Sequence, residues 1–154
     1  MTTDYNRITM KKILLSVLAV ATLAVTPTMA EDVAITAQKL PGAAQKFLKE
    51  HFAQNKVVTA LLDRDFADND YTVILDNGTK IEFDGLGKWE SVKNRNGKIP
   101  ASVVPAKIQG YVSKHYPSLG IEKIERKRYG YELELTNDLD LKFSSEGNFV
   151  GVDD

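Results

Sequence analysis

Two histidines are the only side chains in the sequence that could serve as imidazole bases. His51 and His115 each end a stretch in which apolar residues recur at three- and four-residue spacing, which predicts helices near 41–53 and 105–116. A histidine at a helix C-terminus interacts favourably with the helix dipole, so we predict packing or capping roles for both. The chain has no cysteine, nucleophile elbow, phosphate-binding loop or dinucleotide-binding glycine pattern. These features predict a protein that is not an enzyme and uses no cofactor.

An acidic segment at residues 63–70 carries the residue type that binds calcium. Calcium is a hard cation that prefers carboxylate oxygens, but the segment lacks the glycine and the final glutamate of an EF-hand loop. It also falls where a hairpin loop is predicted, so a solvated loop and a weak calcium site both fit the pattern. An envelope protein that binds calcium or a small ligand through this loop is our alternative function. The candidate metal ligands are Asp63, Asp65, Asp68 and Asp70.

The N-terminal part of the sequence has the pattern of a cleavable export signal. Basic residues precede an uncharged and almost wholly apolar run from 13 to 25, which is too short for a stable transmembrane helix. Small residues at the end of this region predict a signal peptide over 1–30 that is cleaved after Ala30. The sequence therefore predicts a periplasmic or secreted protein with no stable membrane span after cleavage.

The composition suits a folded chain that is stable without covalent cross-links. Its 154 residues are 43% hydrophobic and 27% charged, and the formal net charge is −1. The apolar fraction is sufficient for a hydrophobic core, which excludes a disordered tail. The near-neutral charge lacks the basic footprint of a nucleic-acid-binding protein. An exported protein without cysteine has no disulfides, so its core must supply the stability.

The sequence after the export signal shows internal similarity at a nearly constant spacing. Each half begins with a helical stretch and continues with four stretches of period-two alternation, separated by turn signals such as Asn77-Gly78. We therefore predict an α+β fold of two tandem repeats, each a helix with a short preceding helical turn packed on a four-stranded antiparallel meander. The predicted repeats cover 31–93 and 99–154, with 94–98 as a linker, and we expect their strands to form one extended or curved sheet.

Both halves carry a pattern that resembles a known family. In the first half it reads I-x4-L-P-x3-Q-x-F-L-x2-H-F, followed by Y-x-V-x-L-x-N-G-x-K-I-x-F-D-x2-G-x-W. This pattern resembles the PepSY-like family of exported bacterial proteins, which are similar in fold to the beta-lactamase inhibitor proteins. The resemblance implies a helix-plus-sheet repeat that displays a curved sheet surface. It implies no catalytic residues and no particular ligand.

The sheet face opposite the predicted helices is our candidate binding surface. Alternation places charged residues there, and a tyrosine and an arginine are expected at its rim, where such side chains anchor many interfaces. A solvated face without a binding role also fits, because an antiparallel sheet tolerates water on one side. We predict a protein- or peptide-binding module, inhibitory if it covers an enzyme's site. Its partner would be an exported or envelope protein or peptide, and spare sheet edges would allow a dimer. The candidate binding residues are Arg126, Tyr129, Glu132, Glu134 and Lys142.

Overall fold

The computed structural model describes residues 32–64 and 69–153 of the chain. Within these residues, nine strands form one antiparallel sheet, in which the spatial order of the strands follows their order along the chain. A short 3-10 turn precedes each of the two α-helices. The strands are β1 (Val33–Ala34), β2 (Val57–Arg64), β3 (Asn69–Leu75), β4 (Lys80–Phe83), β5 (Trp89–Lys93), β6 (Ile121–Lys127), β7 (Gly130–Leu135), β8 (Asp140–Ser144) and β9 (Phe149–Asp153), and the helices are α1 (Gly42–His51) and α2 (Ala106–His115).

The predicted α+β fold of two tandem helix-plus-meander repeats is wrong. Strand β5 pairs directly with β6 through three residue pairs, the middle one being Val92 with Ile124. The described part of the chain is therefore a single, mostly β, nine-stranded sheet with only two α-helices. The physical reason lies in the strand edges. The backbone groups of β5 and β6 satisfy each other, and the buried side chains of both strands belong to one core.

Each α-helix begins directly after a proline. Pro41 precedes α1 with φ −52°, and Pro105 precedes α2 with φ −51°. Proline holds φ near the helical value and lacks an N–H, so it fits the start of a helix, where N–H groups have no partner within the helix. Basic side chains occupy the last turn of both helices, where they interact favourably with the partial negative charge of the carbonyl end. Local sequence signals therefore set the limits of both helices.

Both helices cover the same face of the sheet and bury it. Phe47 of α1 meets Phe83 edge-on, with 5.7 Å between ring centroids, and Tyr111 of α2 meets Phe143 in the same way at 5.4 Å. A row of fully buried aliphatic side chains crosses the sheet on this face. Burial of each side chain contributes about 1.5–3 kcal/mol. The row consists of Val73, Ile81, Val92, Ile124, Leu133 and Leu141.

Gly87 allows a close contact between α1 and the turn before β5. Its φ is +81°, a left-handed conformation that favours glycine. A Cβ at this position would lie 2.7 Å from the Cβ of Pro41 and 2.9 Å from the backbone nitrogen of Ala44. The close approach brings the nearby Trp89 against α1, where its ring stacks with Phe47 at 6.1 Å between centroids.

Candidate functional site

The face of the sheet turned away from the helices carries mostly charged side chains, and we call it the polar face. Strand alternation places Glu132 and Glu134 there, on either side of the buried Leu133. Lys142 lies directly opposite Glu132 on the neighbouring strand. Tyr129 is 49% exposed and donates its hydroxyl hydrogen to Glu132 at 2.8 Å. The structure thus brings four of the five predicted binding residues together. The polar face comprises Lys80, Glu82, Ser91, Lys93, Lys123, Glu125, Lys127, Tyr129, Glu132, Glu134, Asp140, Lys142 and Asp153.

Ion pairs between charged residues restrain the side chains of the polar face. The Nζ of Lys93 lies 2.7 Å from a carboxylate oxygen of Glu134, which joins β5 to β7 across β6. Glu125 lies between Lys123 and Lys127, with 2.9 Å to the Nζ of each. Although partial burial raises it, hydrogen bonds from both lysines bring the pKa of Glu125 below its usual value. Pairs this exposed contribute roughly 0–1 kcal/mol each, so their main effect is to hold the side chains in position.

Asp140 lies between two other carboxylates on the polar face. It stands directly opposite Glu134 on β7 and opposite Asp153 on β9. Burial raises the pKa of Asp140, and the negative charges of Glu134 and Glu132 raise it further. Like charges at opposed strand positions destabilise a sheet, although Lys142 offsets part of this by pairing with Asp153 at 2.7 Å. The β7–β9 half of the polar face is therefore acidic.

A cleft of about 530 Å³ opens on the other half of the polar face. Four cationic and two anionic side chains line it, so the net charge of its lining is positive. The polar face thus presents positive charge near β4–β6 and negative charge on β7–β9. The lining residues are Gly78, Lys80, Glu82, Ser91, Lys93, Arg95, Asn96, Lys123 and Glu125.

Arg126 lies on the opposite side of the sheet from the other four predicted binding residues. It follows the buried Ile124 by two positions and stands opposite Tyr131 on β7, so its side chain projects to the side that the helices cover. Its guanidinium carbon is 4.2 Å from the ring centroid of Trp89, within the range of a cation–π interaction. Because side chains alternate between the two faces of a strand, the position of Arg126 two residues after Ile124 could have assigned it to the helix-covered side from the sequence.

Trp89 and Arg126 lie at the floor of a groove beside the helices, and we call it the Trp89 groove. Two adjoining hollows of about 810 and 240 Å³ share these two residues. The larger hollow borders residues 101–106 and α2, and the smaller one borders α1. Trp89 is 8% exposed, and the rings of Phe47 and Tyr131 continue the aromatic floor on its two sides. The groove could not be predicted from the sequence, because its floor and walls come from segments far apart in the chain.

The two histidines make packing contacts at the ends of their helices. The Nδ1 of His51 forms a 2.9 Å hydrogen bond with the hydroxyl of Ser102, just before α2. The ring of His115 stacks on Tyr111 at 4.3 Å between centroids. The His51 hydrogen bond ties α1 to the turn before α2, whereas the His115 stack lies within α2, because Tyr111 is one turn earlier on the same helix. These contacts agree with the packing roles predicted for both residues.

Two of the four candidate calcium ligands lie within the described residues. Asp63 and Asp70 stand directly opposite each other on β2 and β3. The Oδ1 of Asp63 is buried and has no hydrogen-bond partner in the described part of the chain. Asp65 and Asp68 lie outside the described residues. Among the residues that the structure describes, no group of three or more histidine, aspartate or glutamate side chains is arranged to hold a metal ion.

The described residues contain no helix that is long and apolar enough to cross a membrane. The predicted signal peptide at 1–30 and its cleavage position lie outside the described ranges.

Within the described residues, the fold combines one antiparallel sheet, two helices packed on one of its faces and a charged opposite face. The profile of a family described as "Putative beta-lactamase-inhibitor-like, PepSY-like" matches residues 69–151. The chain belongs to this PepSY-like family. This result confirms the family that the sequence pattern predicted.

Solved structures of Bacteroides proteins are similar to this chain. A Bacteroides thetaiotaomicron protein described as a "putative calcium-regulated periplasmic protein" is 40% identical with a TM-score of 0.76, and the match covers 80% of this chain and 97% of that chain. A Bacteroides vulgatus protein described as a "putative periplasmic protein from DUF2874 family" is 40% identical with a TM-score of 0.75, and the match covers 80% of this chain and 98% of that chain. A second Bacteroides vulgatus protein, described as a putative periplasmic protein of unknown function, is 35% identical with a TM-score of 0.75. The match covers 80% of this chain and 100% of that chain. No curated protein gave a significant match.

Proposed function

We propose that this protein is an exported, non-enzymatic module that binds a protein or peptide through its polar face. The observation that carries the proposal is the position of this face: both described helices pack on the opposite side of the sheet. The descriptions of the solved relatives as periplasmic proteins support a location in the cell envelope.

The polar face is suited to a charged partner because its side chains are already restrained. Ion pairs such as Lys93 with Glu134 hold long side chains that would otherwise lose rotamer freedom on binding. The separation of a positive half from an acidic half would orient a partner with the opposite arrangement of charge. Tyr129 adds an exposed aromatic ring, a side chain enriched at interface hot spots. Binding of this kind inhibits an enzyme when the bound surface includes its active site.

Capture from the envelope of the producing cell tests this proposal. The exported protein, carrying a C-terminal affinity tag, is incubated with the envelope extract, and each enriched protein is purified and titrated directly. We expect a bound protein whose affinity falls about tenfold, or about 1.4 kcal/mol, when Tyr129→Ala and Glu132→Ala are combined. Lys114→Ala on α2 is the matched control and should leave the affinity unchanged. Affinity that the double variant retains in full, or a folded bait that binds no protein, would contradict the proposal.

Calcium binding next to β2 and β3 is a second candidate function. It is favoured by the buried Oδ1 of Asp63, which lacks a hydrogen-bond partner among the described residues and lies opposite Asp70. A buried carboxylate oxygen without a partner costs free energy that a bound cation would recover. A relative that is 40% identical and described as "putative calcium-regulated" supports the same ion. Asp65 and Asp68 lie between these two residues in the sequence and would supply further carboxylates.

Calorimetric titration with calcium, and with magnesium for comparison, tests the second candidate. We expect saturable calcium binding, a higher melting temperature in its presence, and loss of both effects in Asp63→Asn. Asp140→Asn removes a carboxylate from the polar face instead and is the matched control. A folded protein that shows neither heat of binding nor stabilisation by calcium would rule out this site and leave the polar-face proposal unaffected.

A further inference from the structure

We propose that the Trp89 groove is a second binding site, which accepts a segment of a partner protein that carries an apolar side chain next to a carboxylate. The groove lies on the helix-covered side of the sheet, so this inference does not rest on the function proposed for the polar face. An aromatic floor, an exposed cation and a wall of small residues carry the proposal.

The aromatic floor supplies an apolar contact surface. Trp89 lies between Phe47 and Tyr131, with ring centroids 6.1 and 6.4 Å away. Tyr131 is only partly buried and borders the larger hollow, so its ring remains open to contact. Tryptophan, tyrosine and arginine are the side chains most enriched at interface hot spots, and the groove contains all three. An apolar side chain of a partner would pack against this floor.

Arg126 supplies the preference for negative charge. Its side chain is exposed, and none of the ion pairs among the described residues includes it. The carboxylate of the adjacent Glu125 lies on the polar face, where it pairs with two lysines. A guanidinium stacked on an aromatic ring keeps the N–H groups at its edge free, and these match a carboxylate with two parallel hydrogen bonds. The geometry of Arg126 over Trp89 therefore presents a carboxylate-binding edge beside an apolar floor.

The charge around the groove favours the same kind of ligand. Lys46 and Lys88 line the smaller hollow together with Arg126, and the acidic residue of that lining is Glu50. Glu50 is already paired with Lys46, at 3.7 Å. The net positive charge of this lining attracts an acidic segment and disfavours a basic one.

Small residues on α2 keep the larger hollow open. Ala106, Gly110 and Ser113 line it at the spacing of one helix face. A Cβ added to Gly110 would meet nothing within 4 Å, so no packing contact requires a glycine there. The hollow of about 810 Å³ is in the size range that binds ligands with several side-chain-sized groups. Because the two hollows meet at Arg126, a ligand held there would extend beside both helices, as a polypeptide segment does and a small carboxylate does not.

Trp89 is the only tryptophan in the chain, so its fluorescence reports directly on this groove. Peptides displayed on phage are selected against the purified exported protein, and the selected peptides are synthesised and titrated by fluorescence. We expect them to carry aspartate or glutamate beside an apolar residue. Their affinity should fall about tenfold in Arg126→Gln and in Gly110→Leu, which fills the hollow. Arg126→Lys keeps the charge but not the planar stack, so its affinity should lie between those of Arg126→Gln and the wild type.

Lys114→Leu adds the same leucine on α2 outside the groove and is the matched control, which should bind normally. Thermal unfolding of every variant checks that it is folded. Selected peptides without acidic residues, or affinities unchanged in both Arg126→Gln and Gly110→Leu, would overturn the proposal. If sodium acetate changed the fluorescence of Trp89 as much as the peptides do, the groove would be assigned to small carboxylates. If the protein dimerised and Gly110→Leu abolished the dimer, the groove would be assigned to a second copy of this chain. Each of these two results would overturn the proposed occupant.

Discussion

The guanidinium carbon of Arg126 lies 4.2 Å from the ring centroid of Trp89, on the side of the sheet that the helices cover. The two residues belong to β6 and β5, which are far apart in sequence and pair in the middle of the sheet. Their contact therefore depends on the strand pairing that makes the sheet continuous. It also gives the protein a cationic and aromatic groove on the side opposite its polar face.

Removal of the Arg126 side chain should lower the stability of the protein modestly. A cation over an aromatic ring at an exposed site contributes about 0.5–1 kcal/mol, so Arg126→Ala should reduce the free energy of unfolding by about that amount. The emission of Trp89 should also shift to longer wavelength as water reaches its ring. Urea unfolding followed by tryptophan fluorescence measures both effects, with the exposed Arg128→Ala as the control. Equal stability of the two variants would argue against a stabilising cation–π contact.

Gly87→Ala should destabilise the protein, whereas Gly110→Ala should stabilise it. A Cβ at Gly87 would lie 2.7 Å from the Cβ of Pro41, and the φ of +81° disfavours a side chain. Backbone strain of this kind costs about 1–3 kcal/mol. A Cβ at Gly110 meets nothing within 4 Å, and alanine is favoured over glycine inside a helix by about 0.5–1 kcal/mol. Thermal unfolding of both variants should show shifts of opposite sign, and shifts of the same sign would refute the close approach at Gly87.

Ile124→Ala tests whether the sheet unfolds as one unit. Its side chain is fully buried where β6 pairs with β5, so the substitution should cost about 2–5 kcal/mol. Trp89 fluorescence and far-ultraviolet circular dichroism should follow the same urea transition, because one core joins strands β2 to β8. Val58→Ala, at a side chain that is 67% exposed, is the control and should cost little. Two separate transitions would contradict cooperative unfolding of a single sheet.

Asp140→Asn should raise stability at pH 7. Burial and the neighbouring carboxylates raise the pKa of Asp140 in the folded state, so its ionised form opposes folding above that pKa. As the pH falls through the raised pKa toward the ordinary value of 3.8, the wild-type side chain is protonated and the advantage of the variant should disappear. Urea unfolding of both proteins across this range measures the difference. A variant that is less stable than the wild type at pH 7 would disprove the unfavourable placement of this charge.

Glu125→Gln should have the opposite effect at pH 7. Although burial raises its pKa, hydrogen bonds from Lys123 and Lys127 lower it below the ordinary value of 4.5, so ionised Glu125 stabilises the folded state. This stabilisation is complete above the ordinary value and is lost as the pH falls through the lowered pKa. The variant should therefore be less stable at pH 7, and the difference should shrink in acid. The same urea series measures it, and a loss independent of pH would show that the charge is not its cause.

The polar face shows how far alternation could predict the candidate site. Glu132 and Glu134 flank Leu133, which is fully buried, so a period-two count was sufficient to assign both glutamates to one face. The same count from Ile124 assigns Arg126 to the other face, where it contacts Trp89. The contact itself could not be predicted by counting, because it needs the lateral pairing of β5 with β6.

The sequence by itself determined the family, the alternation of the strands and the positions near Pro41 and Pro105 where the helices begin. These features depend on backbone preferences and side-chain spacing within short stretches of chain. Only the tertiary structure decided that β5 and β6 are the strands that join the two halves of the sheet, and that Arg126 lies over Trp89. Both outcomes depend on which strand edges satisfy each other's backbone hydrogen bonds, and that choice is made between segments that are distant in the chain.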